Sequence, residues 1–115
     1  MDILITSSPT TLRWLDRIKS EIKQKLNSLR YGEAKYVAFF KSPETNRNIV
    51  YLQPQKSQIR LYLRLDLSYD THLQPTPISG NWAEMYPSFF IIRSESMIKK
   101  AIELIISSYE HDLHL

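Results

Sequence analysis

One run of strict alternation, residues 58–67, constrains what this chain can fold into more than any other feature. Apolar side chains alternate with polar or aromatic ones in the order Ile59-Arg60-Leu61-Tyr62-Leu63-Arg64-Leu65-Asp66. Because successive side chains of a strand point to opposite faces, the run predicts a strand that packs one face on a core. The other face interleaves guanidinium groups with a phenol ring, which suits phosphates and stacked bases but equally suits an ordinary solvated sheet.

Three further segments predict strands because they are rich in β-branched and aromatic residues: residues 35–41, 48–53 and 88–93. Turn-forming residues separate 35–41 from 48–53, and 48–53 from the alternating run, which favours an antiparallel meander. Residues 2–6 are interpreted as a short strand or an ordered arm.

Two amphipathic helices are predicted from apolar residues that recur at three- and four-residue steps. The first begins at Ser7-Ser8-Pro9, where serine can cap and proline suits the first turn, and ends near Tyr31-Gly32. Its apolar stripe is Leu12, Leu15, Ile18, Ile22, Leu26 and Leu29. The second follows a cap at Ser94 and carries the stripe Ile98, Ala101, Ile102, Ile105 and Tyr109, with residues 111–115 expected to fray.

These elements predict a single α+β domain spanning residues 1–115, which could also be a module of a larger protein. The expected architecture has two layers, an antiparallel sheet of four to five strands with two amphipathic helices on one face, because each layer then buries the apolar surface of the other. We expect the stripe of the alternating run to be buried against four helical residues, Ile18, Ile22, Ile102 and Ile105.

Composition excludes several classes of site. The chain has only 2 glycines and no cysteine, which excludes a glycine-rich phosphate loop, disulfides, thiolate metal sites and a cysteine nucleophile. Residues 1–10 do not resemble a signal peptide, and no apolar run approaches the ~20 residues of a membrane span. We therefore expect a cytoplasmic protein with no membrane partner, no metal and no cofactor.

Charge is distributed unevenly along the chain. Residues 1–67 hold 12 Lys and Arg against 6 Asp and Glu, whereas residues 68–115 hold 3 against 6. Such asymmetry can create one basic surface that attracts polyanions, although solvated helix and strand faces would show the same balance.

Several segments together are similar to a known bacterial family. Asn48-Ile-Val-Tyr-Leu-Gln-Pro-Gln-Lys56 and residues 59–65 resemble the centre of a domain-of-unknown-function family labelled "predicted transport protein", and residues 36–40, 80–82 and 102–110 resemble its flanking segments. Some members lie C-terminal to a nuclease-like domain of the PD-(D/E)XK type. The resemblance implies a compact α+β module with a nucleic-acid context or a nuclease-like partner, and it implies no catalytic residues. Ala83-Glu84-Met85-Tyr86 depart from the glycines that often follow the family's tryptophan.

The candidate nucleic-acid site lies on the polar side of the alternating run. Arg60, Tyr62 and Arg64 would form a platform on which bases stack and phosphates bind, with help from Lys19, Lys23 and Arg30. The competing interpretation is an exposed face whose tyrosines pack across strands and whose arginines bind nothing.

Three smaller constellations could carry chemistry, but each has a simpler explanation. Glu33-Ala34-Lys35 matches the E-x-K end of a nuclease motif but lacks an acidic residue on a preceding strand, so a turn is the better interpretation. Asp70 and His72 could pair as acid and base, yet no third group orients them. His111 and His114 have helical spacing for a metal but lie in the tail. No catalytic or metal-binding residue is predicted.

The proline-rich segment 69–88 contains an aromatic cluster, Trp82, Met85 and Tyr86, and a short helix is expected around residues 82–85. This cluster would either clamp a partner or plug the open edge of the core, and the second is favoured. The sequence therefore predicts a non-catalytic binding module that binds nucleic acid weakly and without sequence preference. The alternative is a protein–protein interaction or dimerisation module, because the adjacent phenylalanines at 39–40 and 89–90 place apolar groups on both sheet faces.

Overall fold

A computed structural model of the protein describes residues 2–78 and 80–115. Four α-helices are α1 (Asp2–Thr6), α2 (Pro9–Lys25), α3 (Asn81–Met85) and α4 (Ile98–Leu113). Six strands are β1 (Arg30–Ala34), β2 (Val37–Lys41), β3 (Asn48–Pro54), β4 (Ile59–Leu63), β5 (Gln74–Pro75) and β6 (Ser88–Ile92). Single 3₁₀ turns occupy Leu67–Tyr69 and Glu95–Met97.

The six strands form one antiparallel sheet in the order β1-β2-β3-β4-β6-β5. The predicted α+β class with an antiparallel sheet is confirmed, and the strand count exceeds the expected four to five. The additional strands are β1, placed by the sequence in the end of the first helix, and the two-residue β5. No helix among the described residues is both long and apolar enough to cross a bilayer.

The N-terminal segment is helical rather than extended, so the prediction for residues 2–6 was wrong. Ser8 caps α2 as predicted: its side chain accepts from the Thr11 N–H, and the Thr11 hydroxyl accepts from the Ser8 N–H. Lys56 donates to the carbonyl oxygens of Ile5 and Ser7, at 3.0 and 2.7 Å, where α1 ends. These bonds attach the end of α1 and the link that follows it to the turn between β3 and β4.

Helix α2 ends at Lys25, well before the predicted Tyr31-Gly32. Strand pairing prevails over helical periodicity there, because Tyr31 pairs with Phe40 and Gly32 with Phe39 across a tight hairpin. Gly32 has a packing role: a Cβ at this position would lie 2.4 Å from the tip of the Phe39 ring. A residue with a side chain would therefore displace that ring.

One sheet face, the helix face, packs against α2 and α4. The predicted stripe is confirmed, since Ile59, Leu61, Leu63 and Leu65 belong to one buried cluster with Ile18, Ile22, Ile102 and Ile105. The last turn of α4 is also anchored, because the Asp112 side chain is fully buried and bonded to Arg47. The prediction that residues 111–115 fray was therefore wrong for the turn that contains Asp112.

The opposite face, here called the aromatic face, carries a row of directly paired positions. Gly32, Phe39, Tyr51, Tyr62 and Phe89 are register partners on successive strands β1, β2, β3, β4 and β6. A second, smaller hydrophobic cluster forms there. Helix α3, which the sequence predicted, lies against this row.

Candidate nucleic-acid interface

Helix α3 divides the aromatic face into a covered half and an uncovered half. Over β3 and β4 the Trp82 ring lies 4.9 Å from Tyr51 and 5.8 Å from Tyr62, measured between centroids. Tyr62 is only 4% exposed as a result. The expectation that the polar side of the alternating run is open is wrong for this residue, because α3 lies on its ring and leaves no surface for a base.

Arg64 lies beyond the end of β4 and turns inward instead of continuing the predicted platform. Its Nε is 3.2 Å from Asp112 Oδ1, its guanidinium carbon is 5.2 Å from the Tyr86 ring centre, and its side chain is 13% exposed. Burial raises the pKa of Tyr86 to about 12, with Tyr51 adding to the shift and Arg64 opposing it. Arg64 is thus a structural cation in this arrangement.

Asp112 is the centre of this internal network. Arg47 Nε lies 2.7 Å from Asp112 Oδ1, and the Thr45 hydroxyl donates to Oδ2 at 2.5 Å. A second Arg47 nitrogen donates to the Asp112 carbonyl at 3.1 Å. Two guanidinium groups therefore compensate one fully buried carboxylate, and Arg64, the less exposed of the two, is withdrawn from the surface.

Arg60 keeps its predicted place on the aromatic face. It pairs in register with Gln53 on β3 and Ile91 on β6. None of the ion pairs among the described residues includes it. Its Nε is shielded from solvent and makes no hydrogen bond within the described part of the chain. Arg60 is thus a half-buried cation that an anionic ligand could compensate.

The uncovered half of the aromatic face lies on β1 and β2 and carries a pair of like charges. Arg30 and Lys41 are directly opposite each other in register, on the same side as Phe39 and Gly32. Neither takes part in an ion pair with a described carboxylate. Phe39 is half-buried, with its ring over Gly32 and 6.2 Å from the Tyr51 ring between centroids. Lys35 is exposed in the adjacent turn.

Lys19 and Lys23 lie on the other side of the sheet edge. They line a cavity of about 570 Å³ between α2 and the β1–β2 hairpin, where Lys19 Nζ sits 4.3 Å above the Tyr31 ring. The structure therefore separates the six predicted residues into three groups. Lys19 and Lys23 lie on the helix side of β1, and Arg30 lies on its aromatic side. Arg60 and Tyr62 lie on β4, and Arg64 follows its end.

A groove of about 410 Å³ opens between the uncovered half and α3. Its lining is mostly apolar and consists of Val37, Tyr51, Gln53, Tyr62, Ile78 and Trp82. The Tyr62 hydroxyl donates to Gln53 Oε1 at 3.2 Å, which orients the amide NH₂ of Gln53 away from that bond. The Trp82 indole N–H is shielded from solvent and has no acceptor among the residues that the structure describes.

Two of the other constellations, those at Asp70 and Glu33, make hydrogen bonds within the fold. Asp70 accepts from His72 at 2.7 Å and from Lys100 at 2.5 Å, and these bonds hold the pKa of its carboxyl well below the usual range, Lys100 contributing most. They connect the 3₁₀ turn region to α4. Glu33 accepts from the Tyr31 hydroxyl at 2.6 Å. No group of three or more potential metal ligands occurs in the part of the chain that the structure describes.

Of the aromatic loop cluster, Trp82 and Tyr86 pack on the sheet, whereas Met85 is 46% exposed. Trp82 and Tyr86 are therefore packing residues, which is the role the sequence favoured, although they cover a sheet face rather than an edge of the main core.

Sequence reasoning missed Phe39 and Lys41 as possible ligand contacts. Their signal was present in the spacing of the hairpin, because a turn at Lys35-Tyr36 places Arg30 opposite Lys41. Assigning residues 30–34 to a helix end concealed that pairing.

No family model, curated protein or solved structure matches this chain. The resemblance to the domain-of-unknown-function family stays a prediction.

Proposed function

We propose that this protein is a non-catalytic module that binds single-stranded nucleic acid on the uncovered half of its aromatic face. The observation that carries the proposal is the direct pairing of Arg30 with Lys41 beside the half-buried ring of Phe39. This site revises the surface expected from the sequence, since it keeps Arg30 and Arg60 and replaces Tyr62 and Arg64.

Like charges directly opposite each other in a sheet are unfavourable for folding. Cross-strand Cβ atoms lie about 4.5–5.5 Å apart, and neither Arg30 nor Lys41 has a carboxylate partner among the described residues. An anion between the two side chains would turn this repulsion into attraction, so their placement supports a phosphate ligand.

The surface between the Arg30–Lys41 pair and Arg60 favours a nucleic acid over a small free anion. Phe39 lies beside the Arg30–Lys41 pair, the groove follows, and Arg60 lies beyond Gln53 on β4. Cations at both ends with aromatic surface between them are typical of proteins that bind single strands, where phosphates meet the cations and bases stack on the rings.

The experiment is a titration of fluorescently labelled single- and double-stranded DNA and RNA at several salt concentrations. We expect weak binding that favours single strands and falls linearly with the logarithm of salt concentration, because displaced counterions drive the association. Replacing Arg30 and Lys41 together with Ala should weaken binding and lower the salt slope by about 1–2 in a log–log plot, roughly one unit per lost phosphate contact.

The matched control removes two cations from the helix layer instead. Arg13 and Lys99 are exposed on α2 and α4, and the R13A/K99A variant has the same net charge as R30A/K41A. We expect this control to retain most of the affinity. Equal losses in both variants would show that net charge alone drives binding, which would overturn the proposed site.

A protein-interaction role is the other outcome that this experiment can reveal. If no strand binds at tens of micromolar protein and the chain self-associates in a salt-insensitive manner, an apolar contact surface explains the aromatic face better. Exposed apolar side chains at Ile78 and Met85 would then be the first residues to test.

A further inference from the structure

We infer that the cavity between α2 and the β1–β2 hairpin binds a small amphipathic carboxylate, whose anionic head lies between Lys19 and Lys23 and whose apolar body lies on the cavity floor. The cavity volume of about 570 Å³ is within the range of small-molecule sites. The cavity lies on the helix side of β1, away from the aromatic face. The inference therefore does not depend on the proposed function.

The floor of the cavity is apolar and its position is fixed by packing. Ile22, Leu29 and Phe40 line the cavity and belong to the main core. The Tyr31 ring meets the Phe40 ring in a T-shaped contact, with centroids 5.5 Å apart, and its hydroxyl donates to Glu33 at 2.6 Å. A fixed apolar floor favours a ligand with an apolar body, because little ordering is needed and apolar surface is removed from water.

Two cations line the same cavity, one helical turn apart. Lys19 and Lys23 are at i and i+4 on α2 and therefore share one side of the helix. Neither takes part in an ion pair with a described carboxylate. Lys19 Nζ instead lies 4.3 Å from the centre of the Tyr31 ring, so an anion that pairs with Lys19 would hold its apolar body beside that ring.

The other polar groups of the lining set the polarity of the ligand. Asp16 contributes one carboxylate, but it precedes Lys23 by seven residues, about 10 Å along the helix axis. A head group between Lys19 and Lys23 therefore lies toward the other end of the cavity from Asp16. Ser20 and Asn27 are exposed in the lining, and both can donate to a carboxylate. Two cations against one carboxylate favour an anionic ligand over a neutral or cationic one.

The test compares three six-carbon ligands with different head groups: hexanoate, hexanol and hexylamine, which is protonated at neutral pH. The methyl NMR signals of Ile22 and Leu29 report binding in the cavity, and those of Ile78 report binding in the groove beside α3. At low, constant ionic strength we expect hexanoate to bind about 5–10-fold more tightly than hexanol, because each exposed ion pair contributes up to about 5-fold. Hexylamine should bind most weakly. A fourth ligand, naphthoate, distinguishes the two kinds of body: tighter binding than hexanoate assigns the cavity to flat aromatic acids, and weaker binding assigns it to flexible aliphatic ones.

A pair of charge variants tests the two lysines. K19A/K23A should reduce the ratio of hexanoate to hexanol affinity to about 1, because the cations that distinguish the two ligands are gone. R13A/K99A removes the same net charge from residues outside the cavity lining, so it should retain most of the ratio. An unchanged ratio in K19A/K23A would overturn the inference.

A pair of size variants tests the cavity itself. Ser20 is exposed and lines the cavity, so Ser20→Trp should weaken binding of every ligand by occupying the space. Gln24→Trp places the same ring on an exposed position of α2 outside the lining and should leave binding unchanged. Equal affinity for hexanoate and hexanol, or shifts that concentrate on Ile78, would contradict a carboxylate site in this cavity.

A competition experiment separates this inference from the proposed function. Hexanoate, added at constant ionic strength, should leave a labelled single strand bound, since the two ligands occupy opposite sides of β1. Displacement of the strand would show that both use one site and would overturn the inference. If no strand binds, the titrations of the three six-carbon ligands still decide the inference by themselves.

Discussion

Replacing Asp112 with Ala perturbs the internal network that removes Arg64 from the predicted nucleic-acid platform. The carboxylate is fully buried and faces Arg47 Nε at 2.7 Å and Arg64 Nε at 3.2 Å. Removing one partner of a buried ion pair costs about 3–5 kcal/mol, because the remaining charge is left uncompensated. The Arg47 side chain is 40% exposed and can hydrate, so we expect a value near the lower limit, about 3 kcal/mol.

Urea denaturation followed by far-ultraviolet circular dichroism measures this loss as a shift of midpoint at constant slope. The midpoint temperature of thermal unfolding should fall by about 10 °C for a domain of this size. Glu110→Ala is the matched control, because it removes an exposed carboxylate from the same helix, where no described cation pairs with it. A loss below about 1 kcal/mol for Asp112→Ala would refute the buried network, since exposed pairs contribute only that much.

Three other predictions concern stability. Leu63→Ala should cost about 2–5 kcal/mol in chemical denaturation, because Leu63 is fully buried; a loss of a few tenths would place the core on the wrong face. Lys35→Gly should stabilise the hairpin by about 0.5 kcal/mol, because Lys35 has a φ of 29°, a positive value that glycine adopts without strain. Asn46→Gly, at a φ of 58°, should change stability little, because asparagine tolerates this conformation. Destabilisation by Lys35→Gly would contradict the turn geometry. Burial raises the pKa of Tyr86 from 10.0 to about 12, so the neutral phenol contributes fully to the free energy of unfolding below pH 10. This contribution, at most about 2–3 kcal/mol, is lost as pH rises toward 12. Tyr86→Phe should remove that part of the decline in stability at alkaline pH, and an unchanged dependence of stability on pH would contradict it.

The sequence was sufficient to predict the features that depend on one periodicity. The helix-face stripe of β4 and its helical partners followed from matching period-2 and period-3.6 patterns, and the start of α2 followed from Ser8 and Pro9. The short helix α3 was also expected, around residues 82–85 of the proline-rich segment.

The features that depend on tertiary choice were not predictable in the same way. Tyr31-Gly32 fits a helix end as well as an edge strand, and only the close packing of Phe39 over Gly32 explains the strand. Alternation predicts that Tyr62 lies on the surface, but the Trp82 ring covers it. Alternation also predicts that Arg64 continues the strand, but it pairs with Asp112, which lies 48 positions later in the chain.

A backbone amide NMR titration with an unlabelled oligo-dT at low salt tests nucleic-acid binding by the aromatic face. We expect the largest shifts on β1, β2 and the groove, including Phe39, Lys41 and Val37, and we expect them to diminish with added salt. Shifts that instead concentrate on Lys19 and Lys23 would move the interface to the helix side of β1. Complete absence of shifts at tens of micromolar protein would contradict nucleic-acid binding by this face.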